Sequence, residues 1–374
     1  MVIDMKKKKI DIVLLILLII FSFISIITIF SAQNILPDYL KHIYIKQILW
    51  YILGFLTISV IIKIKINWIY DNIFWFYVLG NILLVLLLFF GESVNGAKCW
   101  FKIYGLGSFQ PSEFMKIILI IYIAKMIDKF HKDFDNPTFF DEFKFLIKAF
   151  IILAIPSFLT FLEPDTGNVI IYFLILFIML FIGGIRYQWF LIFFILVLAI
   201  LGSIIYLYYF NIDLFKTILG DDFFLRINRI LDWSKKDGYQ LNKSLISIGS
   251  AGILGYGINN TPLYFPEAQT DFIFGVFAST FGYIGSFILL FLIAIFDIKI
   301  INIAKNTKSK INKYFISGVL GMLLFQQFQN IAMTFGLMPI TGITLPFISY
   351  GGSSLVLFMI MIGLILNITR NDYN

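Results

Sequence analysis

Apolar residues occur along this chain in long blocks, interrupted by brief polar stretches. Ten blocks stand out, over 10–31, 43–62, 71–90, 112–128, 144–162, 167–184, 187–210, 271–297, 314–337 and 345–368. An α-helix rises about 1.5 Å per residue, so about 20 apolar residues cross the hydrocarbon core of a bilayer. The pattern predicts an all-α polytopic membrane protein with ten transmembrane helices. A single long polar stretch, about 211–270, separates the seventh block from the eighth. The chain is therefore expected to form one membrane domain over 1–374, with this stretch as its large extracytoplasmic loop.

Composition agrees with that expectation. Of 374 residues, 60% are hydrophobic and 14% charged, too little charge for a soluble domain of this length. The first block, from Ile10 to Phe30, is too long for a signal-peptide core and lacks a small-residue cleavage site, so it should be retained. A lone cysteine, Cys99, excludes an internal disulfide, and with only two histidines beside it a zinc site is not expected.

The net charge of +7 would suit nucleic acid if the basic residues were clustered. They are scattered over loops, which fits membrane anchoring and argues against a nucleic-acid partner. Lys6 to Lys9 precede the first block and place the N terminus in the cytoplasm. Alternation then brings Lys63, Lys65, Lys125, Lys129, Lys132, Lys144, Lys148, Arg186, the lysines from Lys299 to Lys313, and Arg370 to the same side. Both termini are expected to be cytoplasmic. Segments 91–113, 163–167, 211–270 and 338–347, rich in Gly, Pro and acids, then fall outside. Irregular backbone near membrane depth is tolerated where it lines a cavity, so these segments are expected to share one water-accessible cleft.

Four polar groups in these segments carry candidate chemistry. Asp271, with Glu267 just before it in "PEAQTD", stands at the head of an apolar block with no basic residue nearby in sequence. A charge there costs on the order of 3 kcal/mol, and a partly buried carboxylate has a raised pKa that suits a general base or acid. Glu113 and Lys116, in "QPSEFMK", are three residues apart on one helical face, as an internal ion pair or a substrate contact. Glu163 and Asp165 flank the proline of "EPDTG", where Asp165 or Thr166 can cap the sixth helix or the acids can hold a cation. Arg226 and Arg229 begin a run with Lys235, Lys236 and Lys243 that then turns Gly-rich, and it suits a phosphate-bearing headgroup or a solvated loop. Ser353 and Ser354, in "SYGGSS", have no histidine partner nearby, which argues against a serine nucleophile.

Taken together, "GAKCW", "FQPSEFMKIILIIYIAK", "EPDTG", "YQ…SLISIGSAGILGYG", "PEAQTDFIFGVFASTFGYIG" and "GLMPITGITLPFISYGGSS" resemble the SEDS family of bacterial peptidoglycan polymerases. The likeness covers nearly everything from Gly96 onward. It implies ten spans with both termini cytoplasmic, and polymerisation of lipid II into β-1,4-linked glycan on the outer face of the cell membrane. It implies that Asp271 is the catalytic base, taking a proton from an acceptor 4-hydroxyl as that oxygen attacks the donor's anomeric carbon with inversion. It implies supporting roles for Trp100, Glu113 and Lys116. A departing pyrophosphate calls for positive charge, from Arg226, Arg229, Lys98 or Lys102, or from a divalent cation such as Mg or Mn. "MPITGITLPF" resembles the elongation branch, RodA-like, more than the division branch. Cys99, Lys243, Gln269 and Ser279-Thr280 replace an arginine, a glutamine, a histidine and a glutamate pair usual in the family.

Two other functions fit a polytopic bundle. A lipid II flippase or transporter would carry ionisable residues at mid-membrane and often an internal repeat, whereas here the polar motifs gather at the outer mouths. A non-catalytic scaffold would have no need of Asp271. The family resemblance also implies a class B penicillin-binding transpeptidase as partner, with other membrane proteins of the elongation complex. The loop at 211–270 contains no Ser-x-x-Lys acylation motif of its own. Small residues permit close helix approach, so Gly275, Gly282 and Gly285 of the eighth span and Gly318 and Gly321 of the ninth are expected to receive the partner's helix.

Overall fold

The computed structural model describes residues 11–94, 97–103, 107–221, 223–224 and 238–372. Ten long helices occupy the ten predicted spans: α1 (Ile12–Ser31), α2 (Ile43–Ile61), α3 (Ile66–Phe90), α4 (Pro111–Asp133), α5 (Phe139–Leu162), α6 (Thr166–Ile182), α7 (Tyr187–Phe210), α10 (Ile273–Asn306), α11 (Lys310–Thr334) and α12 (Gly352–Asp372). Among the described residues of the predicted outer segment, two short helices are present, α8 (Ile212–Leu219) and α9 (Tyr239–Gly249). Seven of the long helices are apolar enough to cross a membrane by length and composition. This is a multi-pass membrane protein.

The other three have identifiable reasons for falling short. Helix α6 has only 17 residues. Helices α4 and α11 carry their polar residues inside, Ser112, Glu113, Lys116 and Asp128 on one, Asn312, Gln326, Gln327, Gln329 and Asn330 on the other. Neighbouring helices shield both: α4 packs against α3, α5, α6, α11 and α12 and forms the middle of the bundle. At the opposite extreme, no residue of α7 is buried. Its first turn is nevertheless fixed to α5, where Trp189 stacks on Phe139 at 4.1 Å and donates to the buried Glu142 at 2.9 Å.

Local sequence sets the helix ends. Asp11 caps α1 by accepting from Leu14 N, Thr138 and Asp141 form a capping box on α5, and Pro111 opens α4. Residues 92–109 add a feature not expected from the apolar pattern, a three-stranded antiparallel sheet β1 (Glu92–Val94), β2 (Ala97–Ile103) and β3 (Gly107–Phe109). Strand alternation puts Cys99 inward, while Lys98 is exposed and Trp100 half-buried.

The last predicted span, 345–368, starts later than expected. Residues 338–351 are irregular, and α12 begins at Gly352. This backbone sits inside the bundle, and side chains from α1 and α2 satisfy it. Ser25 Oγ donates to Ile348 O at 2.8 Å, Gln47 Nε2 donates to Ser349 O at 3.3 Å, and Tyr51 Oη donates to Phe347 O.

Helix α10 is broken at Gly282, whose φ of 65° and ψ of −160° leave the helical region. Around the break, Tyr256 N and Gly257 N donate to Ser279 O and Thr280 O, and Tyr283 N and Ile284 N donate to Gly252 O and Ile253 O. A glycine-rich turn from the outer segment thereby takes up the hydrogen bonds the helix gives up. A side chain on Gly282 would place its Cβ 2.4 Å from Gly255 N.

That geometry corrects the expected docking surface. Gly282 faces the turn at 252–257, Gly318 faces Met179 and Ile120, and Gly321 faces Ile178. Gly275 faces Ser244 and Phe265, and Gly285 faces Phe281 of its own helix. These small residues close contacts within the chain rather than opening a lipid-facing groove for a partner.

Candidate active site

Asp271 lies in a tight turn just before α10 and is half-buried. Glu267, at a φ of 54°, starts that turn, and its carboxylate accepts from Thr270 Oγ1 at 2.9 Å and Gln269 Nε2 at 3.2 Å. Removal from water, and then the negative charge of Glu267, push the Asp271 carboxyl up to about 7. At neutral pH such a group can both take up and release a proton, as acid–base work requires.

The turn is held by residues the apolar pattern alone did not single out. Asn330 Nδ2, near the end of α11, donates to Asp271 O and to Ile343 O, each at 2.8 Å. Ser349 Oγ donates to Thr270 O at 2.7 Å, and Tyr350 N donates to Gln269 O at 2.9 Å. Gln240 Nε2, from α9, reaches Pro266 O at 2.7 Å. The run "QQFQN" at 326–330 was the available signal, since five residues with four amides are out of place in an apolar span.

The other predicted segments join the same end of the bundle. Asp165 caps α6 through Asn168 N at 3.1 Å, and its second oxygen accepts from Gln110 Nε2, Ser112 Oγ and Asn168 Nδ2 at 2.8, 3.0 and 2.8 Å. It therefore stitches the start of α4 to the start of α6. Gly167 lies so close to segment 338–347 that a Cβ there would sit 2.6 Å from Thr341 O. Gly342 in turn lies beside Asp271, its Cβ position 3.7 Å from Oδ2. Irregular segments from four parts of the chain are thus linked in series at this end of the bundle.

Glu113 and Lys116 form an ion pair at 2.7 Å, with the lysine fully buried and the second Glu113 oxygen unpartnered. The arrangement is an internal helix-end pair, closed to solvent. Glu163 is also fully buried, and neither of its carboxylate oxygens has a partner. Burial first, and the Asp165 charge second, push this carboxyl up to about 9, so it is protonated at neutral pH. Cys99 Sγ donates to Glu163 O at 3.0 Å, and burial also pushes that thiol up. Lys102 pairs with Glu92 at 3.4 Å on the small sheet. Arg226 and Arg229 lie outside the described residues. Ser279 and Thr280 bond to Ser247 at 3.1 Å and Ser31 at 2.7 Å, a cluster of hydroxyls and not of acids.

A divalent cation is a poor fit to these side chains on their own. Among the described residues, no group of three or more His, Cys, Asp or Glu side chains is placed to hold a metal ion. Asp165 already accepts four hydrogen bonds, three of them on one oxygen, and Glu163 is neutral.

Residues 8–374 match the model of the cell cycle protein family FtsW/RodA/SpoVE. The chain belongs to that family. It is 35% identical over 395 residues to a probable peptidoglycan glycosyltransferase FtsW of Wigglesworthia glossinidia brevipalpis, covering 98% of this chain and 96% of the relative. It is 29% identical to the stage V sporulation protein E of Bacillus subtilis, covering 98% of each. Among solved structures, a chain of a peptidoglycan synthase complex that coordinates polymerization and crosslinking superposes with a TM-score of 0.80 at 24% identity, covering 98% of this chain and 99% of its own. The Thermus thermophilus rod shape determining protein RodA superposes at 0.69, also at 24% identity, covering 98% of both. FtsW/RodA/SpoVE membership fits the ten-helix bundle.

Proposed function

We propose that this chain is a peptidoglycan glycosyltransferase that polymerises lipid II, the undecaprenyl-pyrophosphate disaccharide-pentapeptide, with Asp271 as general base. The observation that carries this reading is a half-buried carboxyl pushed up to about 7, in a turn tied by Asn330 to the segment that approaches α6. Its backbone carbonyl is fixed by Asn330, so its side chain works from a rigid mount. Deprotonation of an acceptor 4-hydroxyl as it attacks the donor's anomeric carbon, with loss of undecaprenyl pyrophosphate, gives an inverted β-1,4 bond. The four segments at this end supply the polar surroundings. By the charge rule this end faces outward and both termini face the cytoplasm.

Relatives similar over the full sequence carry division and sporulation names, FtsW and stage V sporulation protein E, whereas the RodA likeness rests on structure at 24% identity. This favours a division-type role over the elongation role that "MPITGITLPF" suggests. A class B penicillin-binding transpeptidase remains the proposed partner, supported by the similarity to a chain of a complex that couples polymerization to crosslinking. Purified protein in lipid, given labelled lipid II and no other polymerase, tests the reading. Glycan strands made by the wild type and not by Asp271→Asn are expected. Movement of lipid II across the bilayer without polymer would instead identify a flippase.

A further inference from the structure

A groove of about 610 Å³ opens between α3, α4 and α5 at the lysine-rich end of the bundle, away from Asp271. Its floor is hydrocarbon and aromatic: Ile73 and Phe74 from α3, Phe130 from α4, and Phe145, Ile151 and Ile152 from α5. Four lysines stand around that floor, Lys125 and Lys129 from α4, Lys144 and Lys148 from α5, against two acids, Asp133 and Asp141.

Each lysine pair is spaced i, i+4, so both members project from one face of their helix, and the two pairs border the same groove. Like charges at that spacing repel, and bringing two such pairs together adds to the cost. The local acids relieve little of it. Among the described residues, none of the four lysines lies within 4.0 Å of a carboxylate. The Asp141 carboxylate is already engaged by Thr138 N at 3.0 Å and Thr138 Oγ1 at 2.6 Å. Lys125 Nζ donates to Tyr70 O at 2.7 Å, and Lys144 lies 4.3 Å over the Phe140 ring. Lys129 and Lys148 are exposed and turned to the groove.

A small inorganic anion would satisfy the charge and leave the apolar floor bare. An amphiphile with an anionic head and a hydrocarbon tail satisfies both. Depth agrees: the lysines occupy the last turns of α4 and the first turns of α5, where helix ends meet the lipid headgroups. We propose that this groove binds one anionic phospholipid of the cytoplasmic leaflet, its phosphate between Lys129 and Lys148 and an acyl chain along Phe74 and Ile151. Basic pockets between transmembrane helices on the cytoplasmic side favour such headgroups.

Native mass spectrometry of the full chain in detergent, supplied with phosphatidylglycerol or with phosphatidylcholine, tests this. One phosphatidylglycerol retained per chain is expected, with Lys129→Gln/Lys148→Gln lowering retention about thirtyfold, as befits two lysines near an anionic head. Lys305→Gln/Lys308→Gln removes the same charge from the same end but outside the groove, and should retain the lipid. Both pairs are exposed, and equal melting temperatures in phosphatidylcholine would establish that the variants fold. Equal retention of the two lipids would overturn the proposal, as would equal losses in the two double variants. So would displacement by millimolar inorganic phosphate, which indicates a simple anion site, or preferential capture of a polyglutamate peptide, which indicates a protein surface.

Discussion

Replacing Glu163 by glutamine should stabilise the protein, by an amount that grows with pH. The carboxyl is fully buried with both oxygens unpartnered, and its pKa stands at about 9 against an ordinary 4.5. Between those values the unfolded chain holds the group ionised while the folded chain must bind a proton. Stability is therefore fully present below about 4.5 and is lost as pH rises towards 9. At 1.36 kcal/mol per pH unit, protonating the group at pH 7 costs about 3 kcal/mol. Glutamine keeps the size and the two unpaired polar atoms, so the burial penalty nearly cancels and the proton cost disappears. Thermal unfolding in detergent, followed by tryptophan fluorescence from pH 5 to pH 8, reads the effect. The variant should melt several degrees above wild type at pH 8 and within about a degree at pH 5. A difference independent of pH, or a variant less stable at pH 8, would refute a neutral buried carboxyl at this position.

Asp271→Asn keeps shape and hydrogen bonding but removes basicity, and should lower glycan synthesis at least about 100-fold while melting no lower than wild type, since its carboxyl too is pushed up in the folded chain. In the wild type, the base must be ionised, so polymerisation should fall as pH drops below about 7; an activity that is flat from pH 6 to pH 8 counts against this. Ala at Glu113 or at Lys116 alone leaves an unpaired buried charge, at a cost of about 3–5 kcal/mol each, whereas the double Ala variant should cost less than the two together. Additive losses in a thermal double-mutant cycle would mean the pair is energetically silent. Gly282→Ala should lose about 2 kcal/mol or more, seen as a lower melting temperature, because its backbone conformation and the contact with Gly255 leave no room for Cβ.

Much of this architecture is legible in the sequence. The ten apolar blocks became ten helices because each crossing needs its own length of hydrocarbon, and Asp271 was conspicuous because an acid beside such a block has no cheap explanation. What the blocks could not show was which faces meet. Gly318 and Gly321 looked like a surface for another protein, yet they face Met179, Ile120 and Ile178 of the same chain. The start of the last span was misplaced because 345–351 is as apolar as a helix. The hydrogen bonds that hold it irregular come from Ser25, Gln47 and Tyr51, hundreds of residues away. Glu163 and Asp165 differ by two positions in sequence, but one is protonated and unpartnered while the other anchors two helices; only the third dimension separates them.

The break in α10 restricts how this sequence can change. Gly255 and Gly282 approach backbone to backbone, and each lies at positive φ, 80° and 65°. Neither position can accept a side chain while the other backbone stays in place, even if its opposite number remains glycine. A variant carrying alanine at both is no better than one carrying it at either, so there is no compensating second substitution at the partner site. Escape requires the turn at 252–257 to withdraw and the helix to close through residue 282, two rearrangements that must happen together. The turn that carries Asp271 thus leads into a joint at which Gly255 and Gly282 are fixed by each other.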